Sequence, residues 1–219
     1  MLSSLYWNYQ RKQRSAERQE LAARRGWQSV PTDPALADRW RSGPFAKRGD
    51  RRETIGVVRG EARGVPFTAF DFRLRTRVVT TNFIFRSNEY DTMTVWALHL
   101  PAALPWVQCK SGAKLARKLL DRMDGTSTVR TGDDDFDGRF AFYSDSPDFV
   151  RTLLTPQLRD WLREHKLTGW WTDGSDLLLA EEELFRVKPA KLATVADELA
   201  DMVAQFPATI WPQPGGIRH

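Results

Sequence analysis

Residues 136–162, FDGRFAFYSDSPDFVRTLLTPQLRDWL, decide how the rest of the chain reads. Phe140 and Phe142 alternate with Arg139, Ala141 and Tyr143, the period-two pattern of a half-buried strand. The strand stops at Asp145. Ser146 then offers a side-chain oxygen to the free amides of a new helix, and Pro147 takes the first helical position, where its missing N–H costs nothing. Thr155 and Pro156 repeat the device. One continuous helix would hold Pro156 in its interior at a cost of about 3 kcal/mol, so the stretch reads as two helices, 147–154 and 156–165. Val150, Leu153, Leu154, Leu158, Trp161 and Leu162 then face one way, onto a sheet.

Upstream, strands prevail. Ile55, Val57 and Val58 lead to a turn at Gly60 and Gly64, followed by Phe67, Phe70, Phe72 and Leu74, then by Val78, Val79, Phe83, Ile84 and Phe85. Over 92–100, Thr94, Trp96, Leu98 and Leu100 face one way and Val95, Ala97 and His99 the other. No helix of crossover length separates these runs, which disfavours a parallel sheet. Pro101 and Pro105 bound a link to a short strand at 106–108, and Ser111 caps a helix with Leu115, Leu119, Leu120 and Met123, ended by Gly125. Downstream, 167–172 and 175–185 form a hairpin over Thr172-Asp173-Gly174-Ser175. A last helix carries Leu192, Val195, Leu199, Met202, Val203 and Phe206 until Pro207 ends it, with Ile210 and Trp211 as a final clip. The expected fold is α+β: an antiparallel sheet of about six to eight strands with helices packed on one side and an N-terminal amphipathic helix. The expected organisation is a basic helix at 1–25, a single α+β domain at 26–206 and a tail at 207–219.

With 219 residues, 41% hydrophobic and 28% charged, the chain has an ordinary globular composition and length enough for a substantial core. Most of its nine tryptophans are expected to fill that core. Cys109 is alone, which excludes an intrachain disulfide and a zinc ribbon and suits a reducing cytoplasm. No apolar run approaches the roughly 20 residues that span a bilayer, and 2–9 is too short and polar for a signal-peptide core. The expected location is cytoplasmic, soluble or peripheral at the inner face of the membrane.

The net charge of +5 is concentrated at one end. Arg11, Lys12, Arg14, Arg18, Arg24 and Arg25 face only Glu17 and Glu20 within 1–25. Leu2, Leu5, Tyr6, Trp7 and Tyr9 precede them, and Gly26 stops the helix. An aromatic tip on a basic shaft suits a membrane–water boundary, where rings lodge among headgroups and arginines meet anionic lipid. It equally suits a solvated helix whose tip packs on its own domain or on a protein partner, or a frayed terminus. Either way the contact residues are Leu5, Trp7, Arg11, Lys12, Arg14 and Arg18. Residues 27–54 read as a wrapping segment with one helical turn at 34–40, capped by Asp33 and anchored by Trp27, Trp40 and Phe45. Asp50 and Glu53 interrupt its basic cluster of Lys47, Arg48, Arg51 and Arg52, so that cluster reads as a solvated loop and not as a nucleic-acid contact.

Chemistry has little support. Asp133, Asp135, Asp137 and Gly138 match the opening of a calcium loop, but Ser144 stands where a bidentate glutamate is needed, so the expectation is a solvated acidic loop feeding a strand, without a metal. His99 reads as a strand histidine beside apolar neighbours, His165 as a helix end suited to the dipole, and His219 as the last residue. No nucleophile elbow, zinc-protease signature or phosphate cradle is present, and the carboxylates Glu181 to Glu183 follow one another on a hairpin strand and would be split between its faces, which leaves a glycosidase-like pair without support. Cys109, beside Lys110 at an expected helix start, is a reactive thiol only with a base in reach. No cofactor is implied.

Phe136-Asp137-Gly138-Arg139-Phe140, Asp145 and Leu153-Leu154-Thr155-Pro156 resemble the pattern of an uncharacterised bacterial family catalogued as domain of unknown function 3137. Gly26-Trp27, Gly43-Pro44-Phe45, Gly60, Pro66-Phe67, Phe70-Asp71 and Leu100-Pro101 are similar to landmarks of a looser set of unnamed bacterial proteins. The resemblance covers 26–206. It implies no established activity, and membrane proximity, because many members carry membrane helices ahead of the soluble domain. The combined expectation is a non-enzymatic binding or scaffold domain at the cytoplasmic membrane face or in a protein complex. The alternative is an enzyme whose site joins Cys109 or His99 to acidic residues in a polar pocket.

Overall fold

The alternating runs between 51 and 99 fold as three long antiparallel strands, β2 (Arg51–Ala62), β3 (Val65–Val79) and β4 (Arg86–His99), with the short β1 (Gln28–Val30) beside β2. The structure, a computed structural model, describes residues 2–49, 51–79, 86–112, 128–182 and 188–211. For 2–11, 77–79 and 86–89 it describes the backbone. Ser111, expected to cap a helix, instead ends a strand paired with Phe140; the rest of the helix expected at 111–125, from 113 on, and the strand end at 183–185 lie outside the described residues. The chain divides into two compact units, Met1–Leu98 with Ala180–Asp197, and His99–Leu179 with Glu198–His219. The first helix, α1 (Leu2–Arg25), falls within the first unit.

In the first unit the strands run in the order β1-β2-β3-β4. The turn between β2 and β3 is Arg63-Gly64, both left-handed at φ 52° and 80°, the geometry that matches the twist of a two-residue hairpin. Gly60, expected in the turn, lies within β2 beneath Trp27; a Cβ there would sit 2.3 Å from the indole Cδ1. Trp27 meets Phe67 edge to face at 4.9 Å. On the opposite face of β3 the wrapping segment closes over the apolar positions. Trp40 stacks on Phe70 at 5.9 Å and Phe45 meets Phe72 at 4.6 Å. Asp33 caps the Pro34–Ala37 turn through the Ala35 amide and ion-pairs with Arg59, so the segment is fastened at its start as the sequence suggests.

The second unit holds β5 (Val107–Ser111), β6 (Thr128–Val129), β7 (Phe140–Ser144), β8 (Trp170–Asp173) and the first residues of β9 (Asp176–Glu182), in the order β9-β8-β5-β7-β6. Its helices are α2 (Asp134–Arg139), α3 (Pro147–Leu153) and α4 (Pro156–His165); α5 (Pro189–Val203) passes from the first unit into the second. The central stretch folds as strand, helix and helix, broken at Leu154 and Thr155. Thr155 Oγ1 accepts from the Leu158 amide at 3.3 Å. Ser146 makes no such side-chain cap. The hydroxyl that acts there is Ser144 Oγ, which accepts from the Ser146 amide at 2.9 Å and donates to the Trp106 carbonyl at 2.6 Å. Strand β7 is buried on both faces, not one. Phe142 packs between Phe136 and Trp170, each 5.9 Å away. In the β8–β9 hairpin Asp173 pairs with Asp176, so the two-residue turn is Gly174-Ser175, with Gly174 at φ 60°.

The chain is therefore α+β, with nine strands among the described residues and every described pairing antiparallel. The count exceeds the expected range because β1 and β6, three and two residues long, are too short to show a period. At the C-terminal end Trp211 stacks on Phe206 at 6.2 Å, the expected clip. Among the described residues no helix is long and apolar enough to cross a membrane.

Candidate functional site

Helix α1 carries all six residues to which the sequence points, and the fold sorts them. The helix is 24 residues long, about 36 Å. Its second half docks on the face of the β2–β3–β4 sheet opposite the wrapping segment. The register of β2 against β3 shifts between Ile55 and Val58, a β-bulge in which Gly56 takes φ 59°. The bulge turns two successive carbonyls toward the helix. Arg18 Nη1 donates to both, to Ile55 O at 3.2 Å and to Gly56 O at 2.9 Å. Arg18 Nη2 ion-pairs with Asp71, which also accepts from Thr94 Oγ1 at 2.9 Å and lies 3.4 Å from Arg14 Nη1. Arg18 is 3% exposed and Asp71 1%. A Cβ on Gly56 would stand 3.0 Å from Arg18 Cδ, so the bulge position needs a glycine both for its backbone angle and for the room the guanidinium occupies. One turn further on, Leu21 and Ala22 are buried, and the Trp27 amide donates to Ala22 O at 2.8 Å.

This corrects the expected contact surface. Arg14 and Arg18 point inward and anchor the helix, because a carboxylate buried in an apolar strand requires a cation and these two supply it. Lys12 is exposed. The side chains of Leu5, Trp7 and Arg11 lie outside the described residues, although the helix backbone continues through them. Sequence reasoning missed Asp71, Thr94 and Gly56. The signal available was Phe70-Asp71-Phe72-Arg73-Leu74, an acid at a position whose neighbours along the strand are apolar.

The other candidates resolve separately. Cys109 stands in the middle of β5, not at a helix start, and complete burial pushes its thiol far above the ordinary range. A thiol in that state is not a nucleophile. His99 ends β4 with its Nδ1 2.6 Å from Asp176 Oδ1, the carboxylate buried and the ring 29% exposed. His165 stacks on Trp161 at 3.9 Å, its Nδ1 2.9 Å from the Trp161 carbonyl. Glu181 ion-pairs with Lys191; Glu183 lies outside the described residues.

The acidic loop is a short helix, contrary to expectation. Asp133 caps α2 by accepting from the Phe136 amide at 3.0 Å and ion-pairs with Arg163. That amide first, and Arg163 next, hold its carboxyl below the ordinary range. Asp137 accepts from Thr131 N at 3.1 Å, Thr131 Oγ1 at 2.9 Å and Gly132 N at 3.3 Å. Asp135 pairs with Arg139 at 2.9 Å. The carboxylates are engaged with the chain itself, and among the described residues no group of three or more histidines, cysteines or acids is placed to hold a metal.

No family model matches the chain, and no curated protein does. Among solved structures the chain is similar to that of the mycobacterial trehalose monomycolate transport factor A, TtfA. The TM-score is 0.57 at 18% identity, over 91% of this chain and 98% of that one. What the two share is a fold.

Proposed function

We propose that the protein is a non-enzymatic binding or scaffold module that presents the first part of α1 to the inner face of a membrane or to a protein partner. The observation that carries this reading is the burial of Arg18 against Asp71 and the bulge carbonyls. A helix fastened so firmly through its second half is a stem, and the aromatic and basic residues before it, Leu5, Trp7, Arg11 and Lys12, are its contact end. The fold likeness to a protein described as a transport factor supports an accessory role. The motif at 136–156 supports kinship with domain of unknown function 3137, and through it closeness to a membrane.

The test is flotation of the full chain with neutral and anionic liposomes at low and high salt, alongside a chain carrying Leu5→Ser, Trp7→Ser, Arg11→Gln and Lys12→Gln. Binding by the unaltered chain to anionic lipid at low salt, lost in the variant, is the expected result for a membrane contact. Equal flotation of both chains sinks the assignment to α1. If neither floats, capture of a partner by the unaltered chain and not by the variant is the corresponding protein result.

A second reading, an enzyme of unknown reaction, is favoured by the His99 and Asp176 pair alone. A buried carboxylate at Nδ1 fixes the tautomer and the orientation of an imidazole, as general bases require. An activity found for the chain and abolished by His99→Ala at unchanged stability would establish it.

A further inference from the structure

We infer that the side of α1 turned away from the sheet, centred on Ala16, is a contact between two copies of this chain packed antiparallel; this goes beyond the proposed function, which concerns the helix tip. The helix advances about 100° per residue, so the burial of Arg18, Leu21 and Ala22 fixes which positions lie opposite. Those are Lys12, Ala16, Glu20 and Ala23, with Gln13 and Gln19 on the flanks. Lys12, Ala16, Gln19, Glu20 and Ala23 are exposed and Gln13 is half-buried. Lys12 and Glu20 stand one turn to either side of Ala16, about 12 Å apart along the helix and too far to pair with each other. Neither makes an ion pair among the described residues.

A second copy supplies what this face lacks. Two helices related by a two-fold axis at Ala16 run antiparallel, and each position before Ala16 comes level with the position equally far after it on the other copy. Lys12 then meets Glu20 of the second copy, and Glu20 meets its Lys12, so each charge gains an opposite one. Gln13 comes level with Gln19, amide against amide, and Tyr9 with Ala23, a large residue against a small one. Ala16 meets Ala16 at the centre, where small side chains let the helix axes approach to about 8 Å. A parallel pair would set lysine beside lysine and glutamate beside glutamate. The face carries one cation and one anion, so it has no net attraction for anionic lipid or nucleic acid, which favours a second copy over either. One helix pair overlapping from Tyr9 to Ala23, about 21 Å, buries less than the standard interface of about 1,600 Å², so the association is weak, with a dissociation constant of about 0.1 mM. Leu5 comes level with position 27, past the end of the second helix at Arg25, so the dimer contact and the proposed contact end are separate surfaces.

The experiment is sedimentation equilibrium of the full chain from about 10 μM to 1 mM. The unaltered chain should pass from monomer toward dimer across that range. Lys12→Glu turns both charge contacts repulsive and should weaken the dimer about tenfold, as should Glu20→Lys. The two changes together restore opposite charges and should restore the dimer, and an equimolar mixture of the two single variants should associate better than either alone. Ala16→Glu keeps a good helix former but sets like charges at the two-fold axis, and should leave a monomer. Circular dichroism and thermal melting check that each variant folds. An unaltered chain that stays monomeric to about 1 mM overturns the inference, as does a dimer that none of these changes weakens. A double charge variant as weak as the single ones overturns the antiparallel register and the inference with it. Loss of vesicle flotation in the Ala16→Glu chain, with the unaltered chain monomeric, assigns the face to lipid instead. Leu5→Ser with Trp7→Ser should float poorly yet dimerise like the unaltered chain, so failure of the proposed function and failure of the dimer are read separately.

Discussion

Without its guanidinium at position 18, the chain would leave the Asp71 carboxylate buried with Arg14 and Thr94 as its described partners, and two bulge carbonyls without their donor. Breaking a buried ion pair from one side costs about 3 to 5 kcal/mol, most of it the desolvation of the charge left behind. Arg18→Ala should lower stability by that amount in urea titration. Replacing the pair together, as Arg18→Met with Asp71→Leu, should recover much of the loss, since it removes the stranded charge along with its partner. A double variant no better than the single one would mean that the carbonyl contacts, and not the charge pair, hold the helix.

At the scale of elements, α2 shows how a short acidic helix is made to exist. Its six residues, DDFDGR, include a glycine and three aspartates, a composition with poor intrinsic helix propensity. Asp133 caps it and reaches Arg163 on α4. Because the folded carboxyl titrates below its unfolded value, Asp133 stabilises the fold above the unfolded pKa and loses that contribution as pH falls through the folded one. Asp133→Asn should therefore be less stable than the unaltered chain near neutrality, with a flatter acid limb, the two stability curves converging as pH falls below about 4. Urea titrations of both chains across that range would show it. The same elements mark where sequence was readable. The break between α3 and α4 was legible because Thr155 and Pro156 act on their own neighbours. By contrast α2 depends on an arginine thirty positions away, and Asp71 on a helix that precedes it by more than fifty; such pairings leave no local period. The role of Gly56 was hidden for the same reason, since a bulge is defined only against its partner strand.

For the molecule as a whole, the unit boundaries fall at Leu98 and His99, Leu179 and Ala180, and Asp197 and Glu198, inside β4, β9 and α5. Neither unit is a continuous piece of chain. Helix α1, by sequence the most separable part, belongs to the first unit through Arg18, Leu21 and Ala22. A chain beginning at Gly26 should thus melt at lower temperature and lose more stability than Arg18→Ala, because apolar burial goes with the ion pair. Melting at the unaltered temperature would show that the anchor contributes nothing. The consequence for function is practical: loss of binding on such a truncation reports damage to the sheet as much as loss of a contact, and only point substitutions ahead of Arg14 separate the two.

The bulge at Gly56 settles something beyond stability. A helix joined by a slack tether can report that its tip has touched a surface, but it leaves the body behind it free to tumble. Here the tip and the sheet turn together. If the proposed contact at Leu5 and Trp7 exists, it also sets the heading of β2, β3 and β4, so that the face closed by Trp40 and Phe45 would meet the surrounding medium in one pose instead of many.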